Sequence, residues 1–149
     1  MIVAALLSAI HMLTLALGLG GVFIRGRALA GRLDEAGWKR LLAADTAWGV
    51  AAGLWLASGL GRVFFGGKAP SFYWRNGFFW VKLVLFGAVF VLELAPMITF
   101  MRARVARGKG SPMPGFSVEA YRRINTVEVV LVVTIVFAAA FMARGAWLF

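Results

Sequence analysis

The stretch IVAALLSAIHMLTLALGLGGVFI, residues 2–24, decides the fold of this chain. Apart from one histidine it contains no ionisable side chain, and it is long enough to form about 35 Å of α-helix. The hydrocarbon core of a bilayer is about 30 Å thick, so such a helix is expected to cross a membrane. We interpret it as a retained helix, because no lysine or arginine precedes it and its apolar run exceeds that of a secretion signal.

Three further apolar segments have the same character, at residues 42–60, 78–101 and 124–143. Hydrophobic residues make up 62% of the 149-residue chain, well above the roughly 45–50% of a soluble domain. Lipid cannot satisfy free backbone groups, and the segments lack the alternation of barrel strands, so helices are the expected spanning form. The sequence therefore predicts an all-α integral membrane four-helix bundle, a single transmembrane domain over residues 1–149.

Basic residues are distributed unevenly between the two ends of the predicted bundle. Short loops rich in lysine and arginine stay in the cytoplasm, so the richer side is expected to be inside and both termini outside. The net charge of +10 then reflects topology, and we expect a lipid bilayer and no nucleic acid as partner. The inner side carries Arg25, Arg27, Arg32, Lys39, Arg40, Arg102, Arg104, Arg107, Lys109, Arg122 and Arg123, and the outer side carries Arg62, Lys68, Arg75 and Arg144. Aromatic residues between Phe72 and Trp80 are expected to anchor the outer interface.

Five ionisable side chains fall within the predicted spans or at their ends, where each costs at least about 2.5 kcal/mol. By depth they form two layers. The outer layer contains His11 and Lys82, and the inner layer contains Asp45, Glu93 and Glu128. The three carboxyl groups are candidates for a proton relay or for ion pairs with nearby arginines. Burial of Glu93 in particular requires either a neutral carboxyl group or a partner such as an arginine.

A stripe of small and polar residues on the first helix surrounds His11. Ser8, Thr14, Gly18 and Gly21 recur with it at spacings of three and four, so the stripe is expected to face protein. Such residues either let another helix approach closely or leave a slot for a flat ligand. Three roles stay open for the histidine: a bond to a backbone carbonyl, a polar link between helices, or ligation of haem iron.

Motifs in three of the predicted helices resemble those of a known group of membrane proteins. IHMLTLALGLGGVFIRGR contains His11, Gly18 and Arg25, WVKLVLF contains Lys82, and RRIN contains Asn125. On these residues the chain resembles the four-helix HemJ-type protoporphyrinogen IX oxidases, which share a superfamily with CopD-like copper-resistance membrane domains. More closely still, it resembles a bacterial inner-membrane family of unknown function.

The resemblance implies a haem b protein of the bacterial inner (plasma) membrane. It makes His11 an axial ligand of the haem iron, and it makes Lys82 the catalytic residue, in contact with a propionate or an acidic substrate. The activity that it implies is that of a protoporphyrinogen-oxidase-like oxidoreductase. For such a haem b protein we expect a tetrapyrrole or a quinone as substrate. The cofactor site is then expected to comprise His11, Lys82, Thr14, Gly18, Arg25 and Asn125.

The chain departs from the oxidase pattern at two places. LELAP (92–96) stands where relatives have a second histidine, and NTVEVV (125–130) has its acid later and lacks a proline. With one histidine, the iron is five-coordinate or takes Met12, Met97, Lys82 or a histidine from a second copy in a homo-oligomer. Three functions therefore remain: a haem b protein, a small proton-coupled transport module, and a structural or assembly subunit without catalysis.

Overall fold

The computed structural model describes residues 2–147. All but one of the helices in this range are long and apolar enough to cross a membrane, and the range contains no β-strand. The predicted all-α fold with four spanning helices is therefore confirmed. The helices are α1 (Ile2–Ala30), α2 (Glu35–Phe65), the short α3 (Pro70–Trp74), α4 (Gly77–Gly108) and α5 (Val118–Ala143).

The four long helices form an up-and-down bundle made of two helix pairs. α1 packs along α2, α4 packs along α5, and contacts between α1 and α5 join the pairs, whereas α2 and α4 touch only sparsely. We call the end where α1 begins and α5 finishes the terminal end; it also carries α3. The opposite end, with the connections 31–34 and 109–117, is the basic end.

The helices extend beyond the apolar segments that the sequence marks. α2 begins at Glu35 instead of near residue 42, and α4 continues to Gly108 instead of ending near residue 101. Apolarity marks only the part of a helix that meets hydrocarbon, while capping residues decide where the helix starts. The Asp34 carboxylate accepts a hydrogen bond from Gly37 N at 2.8 Å and so starts α2.

Large apolar side chains cover the outside of the bundle. Val84, Phe90 and Val130 are 70%, 59% and 58% exposed, as expected of side chains that face lipid tails. Inside, apolar clusters lie at three levels. They are centred on Leu41 and Phe100 at the basic end, on Val22, Trp48 and Val132 in the middle, and on Val63, Tyr73 and Phe79 at the terminal end.

The glycine-rich half of α1 allows a close approach of α2. A Cβ atom added to Gly21 would lie 2.9 Å from the backbone nitrogen of Trp48, so the two backbones are almost in contact there. A Cβ on Gly18 would lie 3.4 Å from the Cβ of Ala51. This part of the stripe is filled by α2 and leaves no slot for a flat ligand. The void beside Thr14 and Gly18 measures only about 10 Å³, at the lower limit for one water molecule.

Candidate functional site

His11 is held in one tautomer by a short chain of hydrogen bonds. The only proton of Ser58 Oγ is donated to the carbonyl oxygen of Trp55 at 3.1 Å. With its proton on that carbonyl, Ser58 Oγ accepts in its other contact, with His11 Nδ1 at 2.9 Å, and Nδ1 carries the proton. His11 Nε2 then has a free lone pair, and it has no hydrogen-bond partner among the described residues.

The imidazole of His11 lines a cleft at the terminal end of the bundle. The cleft has a volume of about 100 Å³, and its walls include the rings of Trp55, Phe79 and Phe86. The centres of the His11 and Trp55 rings lie 5.5 Å apart, and the ring planes are inclined at 31°. Gly59 makes room for the histidine, since a Cβ there would lie 3.2 Å from His11 Cε1.

The cleft opens sideways between α2 and α4. Its rim carries Leu56 and Leu60 from α2 and Leu83 from α4, which are between 39% and 51% exposed. α2 and α4 make the fewest contacts among the pairs of long helices that touch. In a membrane these three leucines would lie between the cleft and the lipid tails.

Two positive side chains line the same cleft. Lys82 and Arg62 are half-buried, and neither forms an ion pair within residues 2–147. The ammonium group of Lys82 lies 5.9 Å from the centre of the Phe79 ring. None of the described lining residues is an aspartate or a glutamate. The cleft therefore combines an apolar, aromatic wall with uncompensated positive charge, which favours an apolar ligand that carries an acidic group.

A second polar site surrounds Arg25 toward the basic end, and it joins all four long helices. Arg25 is 1% exposed. Its Nη1 donates to both carboxylate oxygens of Glu93, at 2.8 and 2.9 Å, and to Asp45 Oδ1 at 3.2 Å. Nη2 donates to Glu128 Oε2, and Nε donates to Asn125 Oδ1 at 2.9 Å. We call this group of five side chains the arginine cluster.

Two neighbouring side chains complete the polar contacts of the arginine cluster. Arg104 Nη2 donates to Asp45 Oδ2 at 2.6 Å, and Trp48 Nε1 donates to Glu93 Oε2 at 3.1 Å. Glu128 is completely buried, yet its Oε1 has no hydrogen-bond partner in the part of the chain that the structure describes. That part also contains no group of three or more His, Cys, Asp or Glu side chains that could hold a metal ion.

The structure divides the predicted site residues between separate places. His11 and Lys82 share the cleft, whereas Arg25 lies in the arginine cluster, 14 residues or about 21 Å further along α1. Thr14 and Gly18 lie between the two, against α2. Among the methionines, Met142 lines the cleft, while Met12 and Met97 do not line it and are 63% and 38% exposed. Asn125, Asp45, Glu93 and Glu128 all belong to the arginine cluster.

The sequence analysis did not identify two lining residues of the cleft, Trp55 and Arg62, or the hydrogen-bond partner of His11, Ser58. Trp55, Ser58 and Arg62 lie on α2 at spacings of three and four, which places them on one face of that helix. The same periodicity search that found the stripe on α1 would have found them. What no local pattern could give is the pairing of Ser58 with His11, since 47 residues separate them.

Comparison with family models matches residues 3–146 to the family described as "Predicted membrane protein (DUF2214)". The chain belongs to this family. Membership in DUF2214 confirms the prediction of a membrane protein family of unknown function, and it agrees with the four apolar helices of a multi-pass membrane protein. No curated protein and no solved structure matches the chain. The resemblance of this DUF2214 protein to HemJ-type oxidases and CopD-like domains stays a prediction.

Proposed function

We propose that this DUF2214 protein binds haem b in the cleft at the terminal end, with His11 Nε2 as an axial ligand of the iron. One observation carries the proposal: the chain from His11 Nδ1 through Ser58 Oγ to the carbonyl of Trp55. A histidine that ligates a metal typically donates its other ring proton to a fixed acceptor, which sets the tautomer and the ring orientation. His11 has that arrangement.

The charges of the cleft favour a ligand with acidic groups. Haem b carries two propionates, and Lys82 and Arg62 supply two cations without an acidic partner in the described part of the cleft. A long basic side chain can present its charge to a carboxylate while its stem stays in apolar surroundings. A neutral quinone would leave both charges unmatched, so the tetrapyrrole is the better candidate of the two.

The imidazole and the two basic side chains of the cleft suit haem, but the cleft is too small to enclose a porphyrin as it stands. Its volume of about 100 Å³ lies below the roughly 300–1,000 Å³ of sites that enclose a small molecule. A porphyrin therefore needs α2 and α4 to separate, or else leaves part of its surface against lipid tails. Both become possible at the sideways opening beside Leu60 and Leu83, where these helices touch least.

Each residue of the proposed haem site then has a distinct part. His11 would bind the iron and Ser58 would orient His11, while the rings of Trp55 and Phe86 would keep water out. Lys82 and Arg62 hold the acidic groups. When bound, haem supplies one-electron chemistry, so the activity class is that of an oxidoreductase. A second axial ligand from the same chain would be Met142 or Lys82, which both line the cleft, in place of Met12 or Met97.

The proposal includes the orientation expected from the basic residues, in a bacterial inner membrane with both termini outside. The cleft then lies in the outer half of the bilayer and the arginine cluster in the inner half. A substrate or electron partner that acts through the cleft would approach from the outer leaflet.

The test is an absorption spectrum of the protein purified in detergent after expression with haem precursors. We expect a Soret band that is lost in His11→Ala and weakened in Ser58→Ala, because the serine only orients the ligand. Thr134→Ala is the matched control, since Thr134 is exposed on α5 and its hydroxyl donates to the carbonyl of its own helix. Elution as one monodisperse species shows that each variant is folded. Colourless wild-type protein, or an unchanged band in His11→Ala, would overturn the proposal.

The second candidate function is proton transfer, and a specific feature of the arginine cluster favours it. Arg25 and Arg104 bring two positive charges, whereas Asp45, Glu93 and Glu128 bring three negative charges when all are ionised. An uncompensated buried charge costs several kcal/mol, so one bound proton would balance the cluster. Glu128 Oε1, which has no hydrogen-bond partner within residues 2–147, is the atom where that proton would reside.

Replacing Glu128 by glutamine separates a proton-binding role from a purely structural one. A neutral carboxyl group resembles an amide, so Glu128→Gln should change the free energy of unfolding by less than about 1 kcal/mol while abolishing proton flux into liposomes. If Glu128 is instead an ionised partner of Arg25, Glu128→Gln should lower the free energy of unfolding by about 3–5 kcal/mol. Glu119→Gln, at an exposed position on the same helix, is the control.

A further inference from the structure

A groove between α1 and α5 at the basic end is a separate site, and Asn125 is the one member of the arginine cluster that lines it. It has a volume of about 280 Å³, far more than the roughly 10–15 Å³ that one water molecule needs. Gly26 and Arg27 line it from α1, and Arg122 and Asn125 line it from α5. No aspartate or glutamate is among the described residues that line it.

The floor of the groove presents a hydrogen-bond donor from a buried side chain. Asn125 is 5% exposed, and its Oδ1 accepts from Arg25 Nε at 2.9 Å. The amide nitrogen therefore faces the other way, toward Gly26, where an added Cβ would lie only 2.6 Å from it. This Nδ2 has no hydrogen-bond partner within residues 2–147. The bare backbone of Gly26 thus leaves a donor accessible at the bottom of the groove.

The two arginines of the groove are only weakly engaged by acidic residues. Arg27 has no ion pair in the described part of the chain, and Arg122 Nη1 lies 3.6 Å from Glu119 Oε2, beyond hydrogen-bond distance. Glu119 instead accepts a hydrogen bond from Arg123 Nε at 3.2 Å. The groove therefore offers the unpaired charge of Arg27, the weakly paired charge of Arg122 and an amide donor, which is the chemistry that recognises a phosphate group.

Polar and apolar lining residues are arranged in sequence along the bundle axis. Among the polar lining residues Arg27 and Arg122 lie nearest the basic end, whereas Phe23 and Val129 lie one to two turns deeper in the span. A phospholipid whose phosphate group lies at the arginines would therefore have an acyl chain beside Phe23, which is 65% exposed. We propose that this groove binds the headgroup of an anionic phospholipid, through Arg27, Arg122 and the Asn125 amide. Basic pockets between membrane helices bind lipid headgroups on the same principle.

The experiment measures lipid binding to the detergent-purified chain by native mass spectrometry, with phosphatidylglycerol as the probe and phosphatidylcholine as the neutral comparison. We expect the double variant Arg27→Gln and Arg122→Gln to bind phosphatidylglycerol about 30-fold more weakly than wild type. The control removes two exposed basic residues from the same end, Arg32→Gln with Arg102→Gln, and should bind like wild type. Gly26→Ala tests the floor of the groove without changing the charge, and it should also weaken binding.

Three outcomes would overturn the inference. Equal loss in the groove variant and in the control would mean general attraction of anionic lipid to a basic surface. If both Gly26→Ala and the double variant bind phosphatidylglycerol as tightly as wild type, the lipid lies elsewhere. Displacement of phosphatidylglycerol by millimolar inorganic phosphate would make the groove a site for free anions instead. Each variant's elution profile in detergent separates lost binding from lost folding, and haem content is not part of the readout.

Discussion

Replacing Arg25 by methionine should be among the most destabilising single substitutions in this protein. Methionine has a similar length and no charge, so the change removes the guanidinium group while keeping most of the buried volume. Arg25 makes five hydrogen bonds, to Asn125 and to three carboxyl groups, and it is the side chain of α1 that connects to all three other long helices.

The size of the effect follows from what each partner of Arg25 retains. Asp45 keeps Arg104, and Glu93 keeps only the neutral donor Trp48 Nε1. Glu128 loses the one hydrogen-bond partner it has among the described residues. Removing one member of a buried ion pair costs about 3–5 kcal/mol, because the other charge stays buried without a partner. We expect Arg25→Met to lower the free energy of unfolding by at least that amount.

The assay is an unfolding titration with sodium dodecyl sulfate in mixed micelles, followed by tryptophan fluorescence. Arg27→Met is the matched control two residues along the same helix, and it should change stability by less than about 0.5 kcal/mol because Arg27 is exposed. Adding Glu93→Gln to Arg25→Met should recover part of the loss, with a coupling energy of about 0.5–3 kcal/mol. The reasoning is refuted if Arg25→Met costs no more than Arg27→Met.

Two further predictions concern the helix interface and the cleft. Gly21→Ala should destabilise the bundle, because α1 and α2 must separate by about 0.5 Å to bring the new Cβ to 3.4 Å from Trp48 N, at a cost of about 1–3 kcal/mol. Gly20→Ala, with no atom within 4 Å of the new Cβ, should be neutral or stabilise by up to about 1 kcal/mol, and equal Tm values for the two variants would contradict the packing. Lys82→Ala should weaken haem retention in a dilution assay less than His11→Ala does, because a propionate partner contributes less than an iron ligand; equal losses would make Lys82 the ligand.

The membrane fold could be predicted from the sequence because one physical requirement dominates it. A segment such as residues 2–24 must form a helix in hydrocarbon, whatever its neighbours are, and all four predicted spans lie within helices of the structure. The helix ends were less accessible to prediction. They depend on caps such as Asp34 and Ser117, which lie outside the apolar segments in the polar region of the chain.

The sequence separated the polar residues by depth and indicated arginines as partners of the carboxyl groups, but it did not identify which arginine. An outer pair, His11 and Lys82, and an inner group of carboxyl groups follow from helix length alone, and the structure has the same two levels. That Arg25 is the shared partner of that inner group depends on how four helices rotate about their axes. This rotation is set by close contacts such as that of Gly21 with Trp48, which single-helix periodicity does not reveal.

The sequence also did not distinguish which aromatic residues near the terminal end face lipid and which line the cleft. They were interpreted as an interfacial anchor, and Trp74 and Trp80 are indeed 46% exposed. Tyr73 and Phe79, in contrast, are 7% and 6% exposed and line the cleft beside Lys82. An anchoring residue and a wall of a binding site look alike in sequence, because both are large, aromatic and close to a helix end.

The most direct test of the haem assignment is chemical rescue of the variant His11→Gly. Removing the imidazole leaves a gap beside Ser58 that free imidazole can fill. Wild-type protein should bind one haem per chain with a Soret band, His11→Gly should lose that band, and added imidazole should restore it. If the wild type takes up no haem, or if the band in His11→Gly is unchanged before imidazole is added, His11 is not the iron ligand.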